Sequence, residues 1–212
     1  MKKIGRGYYY NVYDLGNGRV RKIPRSQIAQ VWQLFVWTFL TPKTLVEEFI
    51  RAPYSEKNRK EQYDLSSQIA AADPALFGHP VFFGWEYEQD KATDLETLLP
   101  RVEPDVFLGY CKEYVKCIHG LWKKGMGEEV FNFMRNAGIT LEGNMVLLDL
   151  NEYTFDKKRM IQMIGRRRYL RAFHTYKIPF GLRKKIRQLF DKEFSLDKFD
   201  ELWGRERKLT LS

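Results

Sequence analysis

Two hydrophobic periods share this chain, and the point where one gives way to the other constrains the fold more than any single motif. Between Ile4 and Ile23 the residues read as short strands, I-G-R-G, then N-V-Y-D-L-G, then R-V-R-K-I. The Gly16-Asn17-Gly18 turn separates the last two, with glycine supplying positive backbone angles. From Pro104 to Lys124 the pattern F-L-x-x-C-x-x-Y-V-x-x-I-x-x-L-W has helical spacing instead and stops at Gly125. Between these segments lie apolar residues at helical spacing from Ser26 to about Leu40 and from Thr44 to Ile50, broken at Pro42, and a further helix from Glu56 to Ala72. Asp73-Pro74 and Gly78-His79-Pro80 mark turns, and V-F-F-G-W-E-Y-E-Q reads as two strands around Gly84. After Asp149 almost everything is helical, including Phe180 to Phe194 and Leu196 to Trp203. The chain is therefore β-rich with inserted helices for about 90 residues and helical beyond, with a strand pair embedded near 138–150, which is an α+β organisation.

Within that strand pair, M-V-L-L-D-L sets an acid at its next-to-last position. Residues 145 to 148 seek burial, so the strand carries the Asp149 carboxylate to the rim of a core, where it needs a partner or a ligand. The 212 residues, 44% hydrophobic and 15% aromatic, suffice for a substantial core. Cys111 and Cys117 stand six apart in a helix, a spacing that matches neither a local bridge nor a zinc pattern, so both are expected as reduced core thiols. The start M-K-K-I-G-R-G-Y-Y-Y lacks an apolar signal region, and the greasy stretch Ile28–Leu40 is 13 residues with two glutamines, short of the roughly 20 that span a bilayer. A cytoplasmic location is expected, with that stretch as a buried or interfacial helix.

Several residue groups carry possible chemistry, each with a plain structural alternative. Gly5-Arg6-Gly7 followed by Val12 suits a phosphate cradle, because glycines let backbone amides approach oxygens, and equally suits a glycine-containing hairpin. Lys22 beside Val20 is placed for a phosphate or for a solvated strand edge. Asn136 and Asp149 are oxygen ligands for magnesium, or a turn residue and a strand-end cap.

Their order selects among these. Glycine-containing hairpin, strand lysine, acid-bearing helix, two strands, long helix, Asn, hairpin and Asp follow one another, and from about Ile4 to Phe155 the sequence resembles the protein-kinase-like superfamily. G-R-G-Y-Y-Y-N-V-Y is similar to its nucleotide loop, R-V-R-K-I to its lysine strand, E-Y-E-Q-D-K-A-T-D-L-E-T-L-L to its hinge, and R-N-A-G-I-T-L-E-G-N-M-V-L-L-D-L-N-E to its Asn-to-Asp segment. The resemblance implies a two-lobed fold, residues 1–90 forming a small β-rich lobe and 91–212 a helical one, with a cleft between them. It implies ATP and Mg2+ as cofactors and transfer of the γ-phosphoryl group. Gly5 and Gly7 would cover the phosphates, Val12 would pack on adenine, and Lys22 would bind the α- and β-phosphates. Glu61 is the first choice for the acid paired with Lys22, Glu47 and Glu48 being the competitors. Backbone groups from Gln89 to Lys91 would meet the adenine edge, and Asn136 and Asp149 would hold magnesium.

Three positions depart from the family pattern. Tyr10 replaces the third loop glycine, Leu150-Asn151 follows the metal Asp where the family has Phe-Gly, and Phe131 stands where the family has its catalytic aspartate. Glu128 or Glu129 would have to supply the base, since accepting a hydroxyl proton requires a carboxylate within hydrogen-bond reach. The alternative is a nucleotide-binding or scaffold module with no useful transfer, and a further alternative is a basic nucleic-acid-binding domain. The charge is lopsided: residues 157–212 hold 17 Lys and Arg against 6 acids, within a net charge of +9 for the chain. Such helices suit an anionic partner, whether nucleic acid, lipid headgroup or phosphorylated sugar.

Overall fold

A computed structural model describes residues 1–6, 10–26 and 56–206. The apolar segment at 28–40, the segment at 44–50 with Glu47 and Glu48, and Gly7 lie outside the described residues. The chain is α+β, with an antiparallel sheet in the N-terminal region and helices in the C-terminal region. It divides into two compact units, residues 1–71 with 79–91, and residues 72–78 with 92–212.

The first unit is built on five antiparallel strands, β1 (Lys2–Arg6), β2 (Tyr10–Asp14), β3 (Arg19–Pro24), β4 (Val81–Phe83) and β5 (Glu86–Asp90), ordered β1-β2-β3-β5-β4. Gly16 and Gly18 take φ of 81° and 78° at the hairpin between β2 and β3, and Gly84 takes 60° between β4 and β5, as those turns require. Because directly paired residues share a face, the register Gly5↔Val12, Val12↔Lys22, Lys22↔Tyr87 and Val20↔Gln89 puts Gly5, Val12, Val20, Lys22, Tyr87 and Gln89 on one side of the sheet. Tyr10 and Phe82 stack edge-on or tilted against Tyr87 there, with ring centroids 5.3 and 5.5 Å away. The helix Glu56–Ala72 meets this side through Tyr63, 5.4 Å from Phe82. On the other side Arg21 bridges Glu86 and Glu88 and lies over Phe83.

In the second unit β6 (Ala92–Asp94), β8 (Ala137–Thr140) and β9 (Met145–Leu147) form an antiparallel trio, and β7 (Gly127–Glu128) pairs with β10 (Tyr153–Thr154). The long helix Pro104–Lys123 begins with proline in its first turn and ends before Gly125 at φ 69°. Its buried stripe is Phe107, Cys111, Tyr114, Val115, Ile118, Leu121 and Trp122, the face that its helical spacing predicts. Against it pack Phe190 and Phe194, at or just beyond the end of the helix Phe180–Glu193, and Phe199 of the helix Leu196–Leu202. Phe131 joins this aromatic core, 5.3 Å from Phe194 and 6.2 Å from Tyr169. Both cysteines are free thiols, and burial pushes Cys117 up to about 12. Among the described residues no helix is long and apolar enough to cross a membrane.

Candidate functional site

The hairpin β8–β9 decides what lies beside Asp149. Ala137 pairs with Leu147, and one step outward the Leu148 N–H donates to the Asn136 carbonyl at 2.7 Å. Pairing therefore folds the thirteen-residue step back on itself and brings Asn136 next to Leu148 and Asp149. Gly138 permits the close approach of β6, because a Cβ there would meet the Thr93 carbonyl at 2.9 Å. Asn136 ends the short helix Phe133–Asn136 and is buried. Asp149 lies two residues past β9, half-buried, and its Oδ1 accepts from the Asn151 N–H at 3.1 Å.

Around Asn136 gathers a set of carboxylates. Its Nδ2 donates to Glu128 Oε1 at 2.9 Å and also to Glu152 Oε2. Two acceptors fix which end of the amide faces them, leaving the Asn136 Oδ1 turned away and without a hydrogen bond among the described residues. Glu128 is 0% exposed, and both of its oxygens are engaged, Oε2 by the Tyr114 hydroxyl at 2.5 Å and Oε1 also by the Asn132 N–H at 3.0 Å. Burial raises the Glu128 carboxyl above its ordinary range, against the pull of these donors. Glu152 is raised to about 9 by burial first, then by the negative charges of Asp149 and Glu128. The Glu129 N–H donates to the Glu152 carbonyl at 2.8 Å, while its half-buried carboxylate pairs with Arg159 Nε at 3.4 Å.

The donors gathered here are all oxygen, which suits magnesium. Among the described residues no three His, Cys, Asp or Glu side chains are arranged to hold a metal by themselves. Magnesium does not require such a cage, since it commonly takes one or two carboxylates together with substrate phosphates. Asp149 with Asn136 Oδ1 fits that pattern.

The other expected residues divide by position. Gly5, Val12, Lys22 and Gln89 share the sheet face described above, with Lys22 8% exposed and its Nζ 5.3 Å above the Tyr87 ring. Lys91 follows directly on β5, where its Nζ pairs with Asp14 at 2.6 Å and its N–H donates to the Gly18 carbonyl at 2.9 Å. Glu61 lies in the helix Glu56–Ala72, and its side chain is outside what is described. Phe131 takes a left-handed φ of 52° and turns its ring into the core, so the position of the family's base is a packing position here. Sequence reasoning missed Glu152, although its offset of three residues from Asp149 across a single 3-10 turn, Leu150–Glu152, was a usable signal.

No family model matches the sequence, and no curated protein matches it. Among solved structures 26 chains match. One is the crystal structure of the Rio2 kinase-ADP/Mg2+-phosphoaspartate complex from Chaetomium thermophilum, 16% identical, covering 98% of this chain and 70% of that chain, with a TM-score of 0.43. A likeness at that score transfers no residue roles.

Proposed function

We propose that the chain is an atypical small phosphotransferase of the protein-kinase-like kind, binding ATP with Mg2+. The observation that carries this reading is the Asn136 amide, pinned through Nδ2 by Glu128 and Glu152, on a residue whose carbonyl accepts from the N–H of Leu148, the neighbour of the half-buried Asp149. Asp149 and Asn136 hold the metal, which when bound supplies charge neutralisation at the phosphates. Lys22 offers its ammonium to the α- and β-phosphates, Gly5 and Gly7 offer backbone amides, and Val12 offers an apolar surface to the adenine. Glu61 balances Lys22. Backbone groups from Gln89 to Lys91 face the adenine edge.

Glu128 acts in this reading as a positioning residue rather than a base, since it is fully buried and its oxygens are taken. Glu129 is then the carboxylate left to accept a substrate proton. The basic helices suit an anionic partner. A second reading, a nucleotide-binding module without transfer, is favoured by Phe131, which puts an aromatic core residue where the family's aspartate would stand.

The test is a thermal-shift titration of ATP with Mg2+ and with EDTA. A ligand at a hundred times its Kd stabilises the native state by about 2.7 kcal/mol. The reading expects such a rise with Mg2+, reduced at least tenfold in apparent affinity by EDTA and by Lys22→Ala. Equal melting temperatures with and without Mg-ATP would overturn it. Mg-ATP binding without phosphoryl turnover would select the second reading.

A further inference from the structure

Residues 157–190 hold 12 Lys and Arg and no acid, so each acid that balances them comes from outside the stretch. Lys157 pairs with Asp200, Arg159 with Glu129 and Lys185 with Asp105, while Arg167 and Arg187 share Asp191. Lys177 and Lys184 are exposed and have no salt-bridge partner among the described residues. They flank the start of the helix Phe180–Glu193.

Packing fixes which way that helix faces. Leu182, Ile186 and Phe190 form its buried stripe, and Phe190 lies against Tyr114 of the long helix with ring centroids 6.0 Å apart. Two residues turn an α-helix by about 200°, so Phe180 stands opposite Leu182, away from the core. Lys184 and Arg187 follow Phe180 four and seven residues on, along the same outward face, which Asp191 closes at its far end. The entry to the helix is held as well: the Arg183 N–H donates to the Pro179 carbonyl at 2.8 Å, and Arg183 Nη2 donates to the carbonyl of the buried Ile178 at 3.1 Å. The outward side chains are therefore presented on a rigid support.

Phe180 is 83% exposed. A single exposed apolar side chain is ordinary on a protein surface. This one is set among cations, and no other aromatic side chain of the second unit is exposed among the described residues. Single-stranded nucleic acid is held by successive aromatic platforms, which this face lacks. A lone phenyl with a cationic rim matches a lipid surface instead, where the ring moves its apolar area to the acyl boundary while the basic side chains meet anionic headgroups. We propose that the outward face of the helix Phe180–Glu193 docks on an anionic membrane surface, with Phe180 inserted and Lys177, Lys184 and Arg187 as its cationic rim. This surface stands apart from the phosphotransferase reading and does not depend on it.

The test is flotation of the full chain with phosphatidylcholine vesicles, pure or containing about one-third phosphatidylserine, at low and high salt. The parent should partition onto the anionic vesicles, release as salt rises, and ignore pure phosphatidylcholine. Phe180→Ala should weaken partitioning about tenfold, the scale of one buried phenyl. Lys184→Glu should weaken it at least about fivefold, the scale of one lost headgroup contact. Two controls separate the face from general greasiness and general charge. Leu141→Ala removes an apolar side chain that is 82% exposed at the β8–β9 turn, and Lys116→Glu makes the same charge change on the long helix. Both should partition like the parent. Every altered position is exposed, and melting temperatures check that each variant is folded. Failure of the parent to bind anionic vesicles, full binding by Phe180→Ala, or equal losses in Lys116→Glu and Lys184→Glu would overturn the proposal. A single-stranded oligonucleotide that binds through Phe180 while vesicles do not would overturn it in favour of nucleic acid. Mg-ATP binding is measured in parallel: if it is absent while vesicle binding persists, the phosphotransferase reading has failed and the membrane face has not.

Discussion

Glu152 shows how a single residue records the chemistry around it. Its carboxyl, near 4.5 when free, is raised to about 9 by burial and by Asp149 and Glu128. Below pH 4.5 folded and unfolded chains both hold the proton, and the stability contributed by the neutral form is fully present. Between 4.5 and 9 the unfolded chain gives up the proton that the folded chain keeps, so stability falls as pH rises and the loss is complete above 9. Glu152→Gln keeps an acceptor for Asn136 and removes the ionisation. It should melt higher than the parent at pH 8 in EDTA, by about 1–3 kcal/mol in stability, and equally at pH 4. A pH-independent difference between the two proteins would contradict this. Phe131 gives the opposite lesson at the same scale. A non-glycine residue at φ 52° costs on the order of 1 kcal/mol, and burial of the ring in the aromatic core offsets it.

Among the elements, the β8–β9 hairpin explains why part of the site was legible in the sequence. Its strands, its turn and the spacing from Asn136 to Asp149 all lie in one short stretch, so local pattern was enough to bring the two residues together. The long helix Pro104–Lys123 was legible for the same reason, since its buried stripe is written at helical spacing. What pattern did not reveal depends on partners distant in sequence. Strand β6 is three residues long and exists through pairing with β8, and the anchoring of Glu128 depends on Tyr114 from the long helix. The ion pair of Lys91 with Asp14, 77 residues earlier, likewise has no local signature. The dependence on β6 can be tested through Gly138. In Gly138→Val the new Cβ would meet the Thr93 carbonyl, so β6 and β8 must separate. A loss of about 2–4 kcal/mol is expected from urea unfolding, with weakened Mg-ATP binding because Asn136 begins on the adjoining backbone. Unchanged stability would mean that β6 does not support the hairpin.

For the whole molecule the central claim is that an α+β chain of 212 residues devotes its Asn136–Asp149 segment to a magnesium-bound nucleotide. The sheet face bearing Val12 and Lys22 and the carboxylate set around Asn136 belong to separate compact units, and each is assembled by its own strand register. The metal role proposed for the second unit is tested most directly at Asp149. Asp149→Asn retains the side-chain oxygen that accepts from the Asn151 N–H and removes only the charge. The measurement is Mg2+-dependent ATP affinity by calorimetry, taken beside the melting temperature. The expected result is a loss of at least a hundredfold in Mg-ATP affinity, equivalent to about 2.7 kcal/mol, with the melting temperature of the unliganded protein unchanged or raised. A well-folded Asp149→Asn protein that binds Mg-ATP as tightly as the parent would contradict the metal site, and with it the phosphotransferase reading.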